Sequence, residues 1–379
     1  MFLYHIAVMG SPSTSQLAGL QTFIDDTLSS FQLVKGKDVD WQVCPASFSP
    51  PYQKNVAVIY YCDTSPVHSD IPRLLELGIP IIPVVSSLDR VETEVPIELR
   101  HLNCMASNNH DINSIGAALL ECAGLLAQER RVFLSYRRTE SREAAIQLYD
   151  ELGARQFDVF LDTHGIRPGQ QFQSKLWHHL CDSDVLIMLD TETYFESMWS
   201  SAEYGRALAK NISIIQVVWP GRTPDKQTST AFQEILQPAD ILETGYFTEQ
   251  VIQRLCSRLE EVRSKGYAVR TLNLIDRIRT DISRIRGTFQ GVGPGRSVHF
   301  SLMNGKTFVA YPTMGVPSST TLHNACLNTP GHALAIVYDS VGMDKHWLKH
   351  LQWIGSHVKV ATYIPVHKLS WELAGQGAN

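Results

Sequence analysis

Residues 132–138 read VFLSYRR, an apolar run that ends in a serine, a tyrosine and two arginines. Further apolar runs follow at 159–162, 185–189 and 212–218, and the stretches between them have the periodicity of amphipathic helices. Strands that alternate with helices favour a parallel sheet that is covered on both faces. The sequence therefore predicts one α/β domain over residues 130–240.

The segment before this domain shows the same alternation. Apolar runs at 4–9, 56–61 and 79–85 are separated by predicted helices. This pattern favours an N-terminal doubly wound α/β domain over residues 1–127. We expect it to be either flavodoxin-like or a relative of the domain that follows it.

The last third of the chain divides into a connector and a small domain. Residues 248–290 are predicted to form one or two helices, with a narrow apolar seam made of Ile275, Ile278, Ile282 and Ile285. The glycine-rich run at 291–295 is interpreted as a linker. Residues 297–379 are then predicted to form a C-terminal α/β domain for regulation or assembly. Its turn at 311–320 lies between a strand and a helix, where such domains hold ligands.

Composition excludes several classes of protein. The chain has 379 residues, 44% of them hydrophobic, yet no apolar run approaches the roughly 18–20 residues that cross a bilayer. A net charge of −5 gives no global reason to expect a nucleic-acid partner. The seven cysteines are scattered and form no C-x-x-C pair, so no disulfide framework and no metal site are predicted. We therefore expect a cytoplasmic protein without a membrane partner.

A tryptophan and a glutamate mark a candidate pocket. Trp199 and Glu203 are four positions apart in a stretch with helical periodicity, so they project from the same face of one helix. Such a pair places a carboxylate beside an aromatic wall. This arrangement suits a flat, cationic ring that is carried on a sugar.

These features resemble the TIR (Toll/interleukin-1 receptor) domain family. The resemblance rests on FLSY at 133–136, on VFLD at 159–162, on the Pro-Gly loop that follows at 163–169, and on S-x-W-x-x-x-E at 197–203. It implies a flavodoxin-like domain with a parallel sheet. The N-terminal domain carries no W-x-x-x-E of its own, so a TIR-like relationship rests only on its alternating pattern.

Family members are either scaffolds that recruit other TIR domains or enzymes that cleave the nicotinamide–ribose bond of NAD⁺. The paired arginines and the tryptophan look most like the enzymatic branch. This resemblance implies that Glu203 is catalytic and that Trp199, Arg137 and Arg138 contact the substrate. Ser135 and Tyr136 would lie at the edge of the same pocket. NAD⁺ is then the substrate, and no cofactor is implied.

The chemistry of NAD⁺ cleavage requires only one carboxylate. Nicotinamide leaves as a neutral molecule from a positively charged ring, so no general acid has to protonate it. Ordinary glycosidases differ, because they need two carboxyl groups. A single carboxylate can position the ribose and stabilise the positive charge that develops on it.

The resemblance also implies assembly. In enzymatic TIR domains, the loop after the second strand makes head-to-tail contacts between subunits, and here it contains Gly165, Ile166, Arg167, Pro168 and Gly169. A contact of this kind that does not close produces a filament. We therefore expect a homo-oligomer. Bacterial TIR proteins with accessory domains typically act in anti-phage defence, where a nucleotide second messenger or a protein is the trigger.

Two other functions stay open at this point. The first is a TIR scaffold without catalysis, although the retained Glu203 argues against it. The second is nucleic-acid binding through the arginine-rich stretch at 254–286, although the net negative charge and the absence of a recognised binding motif argue against this function.

Overall fold

The structure is a computed structural model, and it describes residues 2–51, 55–161, 172–196, 198–224, 228, 231–329, 333–358 and 360–377. The chain divides into two compact units, Met1–Gln128 and Glu129–Asn379. Among the helices that the structure describes, none is both long enough and apolar enough to cross a membrane.

The first unit is built on a parallel sheet. Its described strands are β1 Tyr4–Gly10, β2 Val39–Val43, β3 Val56–Tyr61, β4 Ile81–Val85 and β5 Met105–Ala106. They lie in the order β2-β1-β3-β4-β5, which is the flavodoxin-like order. The helices are α1 Thr14–Ser30, α2 Ile71–Glu76, α3 Val91–Glu94 and α4 Ile112–Cys122. All residues of β3 and β4 are buried, as expected for strands covered on both faces.

The second unit begins with another parallel sheet. Its described strands are β6 Arg131–Ser135, β7 Asp158–Leu161, β8 Val185–Asp190, β9 Ser213–Val218 and β10 Phe232–Ile235. Their order is β10-β9-β8-β6-β7, so the strand order is the same as in the first unit. The helices here are α5 Arg142–Ala154, α6 Phe172–Asp182 and α7 Met198–Ala209. The chain changes direction across the sheet between β6 and β8, and ligands bind at the carboxyl ends of such a strand pair.

One long helix, α8, runs from Glu249 to Arg284. Its first half packs on the sheet of β6–β10 through a row of buried residues, Val251, Ile252, Leu255, Leu259 and Val262. Its second half carries the isoleucine seam, and Ile275, Ile278 and Ile282 are buried against the next sheet along the chain. The predicted seam therefore packs inside this subunit, and a single helix joins the two sheets of the second unit.

The C-terminal sheet is mixed. Its described strands, in spatial as well as chain order, are β11 Thr288–Val292, β12 Val298–Ser301, β13 Thr307–Thr313, β14 Ala333–Tyr338 and β15 Ala361–Pro365. The first three are antiparallel, and β13, β14 and β15 are parallel. The helices are α9 Ser319–Asn328, α10 Lys345–His357 and α11 Leu369–Gly377.

The interpretation of 291–295 as a linker is wrong at its start. Gly291 and Val292 end β11 and pair with His299 and Val298 of β12. The helical prediction for 248–290 is likewise wrong for its last residues, because β11 begins at Thr288. A bulge lies between Phe289 and Gly291, where φ is +144°. Gly291 is therefore part of a bulged strand. In the sequence, a glycine in a bulged strand looks the same as a glycine in a linker.

Candidate functional site

The candidate site lies at the carboxyl ends of β6 and β8. Ser135 is the last residue of β6, and Tyr194 begins a short 3-10 turn, Tyr194–Glu196, a few residues after β8. Glu203 lies in the middle of α7. The fold thus gathers a serine, a tyrosine and a glutamate from three separate segments at the switch point of the sheet.

Glu203 is held by a short hydrogen-bonded chain. The Oγ atom of Ser135 is 2.5 Å from Oε2 of Glu203 and 2.6 Å from the hydroxyl of Tyr194. An ionised carboxylate only accepts hydrogen bonds, so Ser135 donates its single hydroxyl proton to Glu203, and Tyr194 donates to Ser135.

Burial strengthens the effect of this carboxylate. Glu203 is only 7% exposed, Ser135 is 4% exposed, and Tyr194 is fully buried. A negative charge acts more strongly on a nearby positive centre where water is largely excluded. The arrangement therefore provides one oriented carboxylate in a largely dry position at the carboxyl ends of β6 and β8.

Residues 132–256 match the family model described as "TIR domain". This part of the chain is a TIR domain. The matched range covers the five strands β6–β10 and extends into the first turns of α8, which pack on that sheet. The resemblance seen in the sequence is thereby confirmed at the level of the family.

Other comparisons add little. No curated protein matches this chain at a significant level. One similar solved structure is titled "Crystal structure of a putative LacI transcriptional regulator from Bacteroides fragilis". It is 15% identical, the match covers 68% of this chain and 91% of that chain, and the TM-score is 0.19. A score this low carries no argument about fold or function.

The two arginines that follow β6, Arg137 and Arg138, are placed differently. Arg137 is partly buried, and its Nη1 donates to the carbonyl oxygen of Thr193 at 2.8 Å. Arg138 is exposed. Arg137 therefore helps to hold the loop that carries Tyr194, and its predicted contact with substrate stays a prediction, as does that of Arg138.

Glu140 completes the support of this loop. Its carboxylate accepts a hydrogen bond from Oγ1 of Thr193 at 2.5 Å. Burial acts to raise the pKa of Glu140, but hydrogen bonds from Thr191 and Thr193 and the charge of Arg137 outweigh it and lower this pKa. The loop after β8 is thus fixed by two charged side chains that follow β6.

Tyr136 lies on the other face of the sheet from Ser135. Successive residues of a strand point to opposite faces, and Tyr136 packs in the apolar cluster that contains Leu148 of α5. Phe133 shares the face of Ser135 and packs with Leu176 of α6. A role for Tyr136 at the pocket edge stays a prediction.

Several predicted residues cannot be placed in the site. Trp199 lies in α7, one helical turn before Glu203, but its side chain is not among those that the structure describes. The proposed assembly loop, Gly165 to Gly169, lies outside the described residues altogether, as do Asp162 and Ser197.

The structure adds a buried polar cluster that sequence reasoning missed. Asp190, the last residue of β8, is fully buried. Its Oδ2 accepts from Nε2 of Gln216 at 2.6 Å, and its Oδ1 is 2.6 Å from Nε of Arg222. An aspartate that ends a wholly apolar strand is a signal that points to such a cluster. Tyr194 gave no comparable signal, because it lies in a short loop beside Phe195 and belongs to no recognised motif.

Proposed function

We propose that the TIR domain is an NAD⁺ glycohydrolase that cleaves the bond between nicotinamide and ribose. The observation that supports it best is the buried carboxylate of Glu203, oriented by Ser135 at the switch point of the sheet. The family match supports a TIR domain in general, and this site supports the catalytic branch over the scaffold branch.

In the proposed reaction, NAD⁺ binds at the carboxyl ends of β6 and β8. Glu203 accepts hydrogen bonds from the ribose hydroxyls and faces the carbon that is attacked. As the bond to nicotinamide breaks, positive charge develops on the ribose, and the preorganised carboxylate stabilises that charge. The electron pair of the breaking bond goes to the pyridinium nitrogen, so nicotinamide leaves as a neutral molecule.

The second half of the reaction is capture of the ribose. Attack by water yields ADP-ribose and releases one proton. Attack by a nitrogen of the adenine ring of the same molecule instead yields a cyclic product. Trp199 is proposed to stack against the nicotinamide ring, because it lies one turn before Glu203 on the same helix.

Assembly is part of the proposal. We expect a homo-oligomer with TIR–TIR contacts through Gly165 to Gly169, in a cytoplasmic protein that acts in anti-phage defence. An activity that destroys NAD⁺ has to be restrained until it is needed. A nucleotide or protein trigger that acts through the flanking domains would supply that restraint.

The test is nicotinamide release by the full-length protein over a range of protein concentrations, with and without a crowding agent. Glu203→Gln keeps the size of the side chain and an acceptor for Ser135 but removes the charge. Glu196→Gln, at an exposed position just before α7, is the matched control. We expect the wild type and Glu196→Gln to consume NAD⁺, and Glu203→Gln to lose about 100-fold or more, the size of effect seen when one charge-stabilising group is removed.

Two outcomes would count against the proposal. Equal activity in Glu203→Gln and the wild type would move the chemistry to another residue. No nicotinamide release from assembled wild-type protein at any concentration would favour a scaffold.

A further inference from the structure

A cavity of about 370 Å³ lies between the TIR domain and the C-terminal sheet, and Glu203 is not among the residues that line it. Its walls come from the end of α6, the residues just after α7, the middle of α8, and the turn after β13. The volume falls within the range of about 300–1,000 Å³ that is usual for small-molecule sites.

The cavity lies at the carboxyl ends of two strands of the C-terminal sheet. Thr313 ends β13, and Asp339 directly follows β14. These two strands are parallel neighbours, so the cavity lies outside their carboxyl ends. Thr313, Met314 and Gly315 on its wall belong to the turn at 311–320 that the sequence marks as a ligand position.

Three cations line this cavity from three different segments. Lys210 follows α7 directly, and its side chain is only 11% exposed. Arg270 and Arg277 lie two helical turns apart on α8, with Arg270 buried and Arg277 half exposed. The carboxylates that line the cavity are those of Asp276 and Asp339, so the described lining carries one more positive than negative charge.

Two of these cations share one carboxylate. Nζ of Lys210 is 3.5 Å from Oδ2 of Asp339, and Nη1 of Arg277 reaches the same oxygen at 4.0 Å. Arg270 donates to the carbonyl oxygen of Ser183 at 3.0 Å. Burial lowers the pKa of Lys210, Asp339 opposes this shift, and the nearby charge of Arg270 adds to it. An added anion would interact favourably with these cations, two of which share a single carboxylate.

We propose that this cavity binds a small phosphorylated molecule. A guanidinium and an ammonium group together recognise phosphate well, because the first supplies a fork of parallel donors and the second a compact charge. Thr313 and Asn273 also line the cavity, and their hydroxyl and amide groups can fix the rest of the molecule. Lys210 follows the helix that carries Glu203, so the bound molecule contacts an extension of the catalytic helix.

The experiment is isothermal titration of the full-length protein with inorganic pyrophosphate and with AMP. The main variant is Arg277→Glu, which reverses the charge of a half-exposed side chain on the cavity wall. Arg279→Glu makes the same change two residues further along α8 at an exposed position outside the cavity wall. Lys210→Gln removes a second cation, and Glu203→Gln reports on the site in the TIR domain.

We expect at least one probe to bind the wild type, Arg279→Glu and Glu203→Gln alike. Arg277→Glu and Lys210→Gln are expected to weaken that binding by about tenfold or more, because each removes a charge-assisted contact. The proposal is overturned if neither probe binds the wild type at millimolar concentration. It is also overturned if Arg277→Glu binds as tightly as Arg279→Glu, or if Glu203→Gln abolishes binding. Since no catalysis is measured, the result is independent of NAD⁺ cleavage.

Discussion

Oγ of Ser135 and Oε2 of Glu203 are 2.5 Å apart, although the two residues are 68 positions apart in the chain. The contact joins the end of β6 to the middle of α7. The hydrogen bond fixes one oxygen of the carboxylate. The position of the second oxygen then follows, because the carboxylate group is planar and rigid. A carboxylate held in this way loses less freedom when substrate binds, which favours catalysis.

Ser135→Ala tests this positioning role. We expect kcat for nicotinamide release to fall by roughly tenfold or more with little change in KM, because the charge of Glu203 remains but its orientation is lost. Ser183→Ala is the control, since Ser183 is also buried in the TIR domain but its Oγ donates to the carbonyl oxygen of His179. A loss of activity that is equal in the two variants would mean that Ser135 acts only through stability.

The strands that are buried on both faces could be predicted from the sequence. The apolar run at 56–61 became β3 with the same bounds. The edge strands β2 and β10 were missed, because most of their residues are partly or fully exposed and their sequences are correspondingly polar. Edge strands are defined by pairing on one side, and the sequence pattern carries little of that information.

The site was only partly accessible to sequence reasoning. Ser135 and Glu203 were found because both belong to motifs of the TIR family, and the structure brings them together. Tyr194 and the cluster around Asp190 were missed, since their roles depend on which loops meet at the sheet edge. The full length of α8 could not be predicted from the sequence either, because it depends on the packing of this helix on two sheets at once.

Gly315 offers a test of the contact between the TIR domain and the C-terminal sheet. Its φ is +76°, and a Cβ atom there would be 2.7 Å from Oδ1 of Asp182. Gly305 has a φ of +80° but nothing within 4 Å of such a Cβ. Both Gly→Ala variants suffer backbone strain of about 1 kcal/mol. Only Gly315→Ala adds a steric clash to that strain.

We therefore expect Gly315→Ala to lower the melting temperature of the full-length protein clearly more than Gly305→Ala does. Differential scanning calorimetry of the two variants beside the wild type measures the difference. Equal melting temperatures would show that the turn after β13 moves freely away from Asp182.

The titration of His178 is expected to lower the stability of the folded protein at acidic pH. It lies on α6, and its Nδ1 accepts from the backbone N–H of Asp344 at 3.2 Å. Burial lowers the pKa of His178 to about 4, the neighbouring charges of His179 and Lys175 add to this shift, and Asp344 opposes it. Below a pH of about 6.5 the unfolded chain binds a proton that the folded protein does not, so the free energy of unfolding falls as the pH drops towards 4.

The loss from His178 is expected to reach roughly 2–3 kcal/mol at pH 4. His178→Gln removes this titration but keeps an acceptor for the Asp344 N–H. We expect the melting temperature of His178→Gln to fall less between pH 7.5 and pH 4.5 than that of the wild type. His323→Gln, at an exposed position of α9, should follow the wild type. Parallel curves for all three proteins would contradict the prediction.

Asp182 lies on the same helix, α6, and its titration is expected to change the stability of the protein with pH in the opposite direction. Oδ1 of Asp182 accepts from the backbone N–H of Val316 at 2.7 Å and from Nη1 of Arg131 at 3.1 Å. Burial raises the pKa of Asp182 to about 6, although Arg131 and the Val316 N–H oppose the shift, while Asp184 and Asp158 add to it. At a pH between about 3.8 and about 6, the folded protein therefore holds a proton on Asp182 that the unfolded chain has already released.

This proton stabilises the folded state fully below a pH of about 3.8, and the stabilisation is lost as the pH rises through about 6. Asp182→Asn keeps the acceptor for Val316 and removes the titration. The stability of the wild type relative to Asp182→Asn is thus expected to fall by up to about 3 kcal/mol between pH 4 and pH 7. Calorimetry at several pH values measures it, with Asp150→Asn, at an exposed position of α5, as the control. A difference between wild type and Asp182→Asn that stays constant with pH would mean that Asp182 is already charged in the folded protein at pH 4.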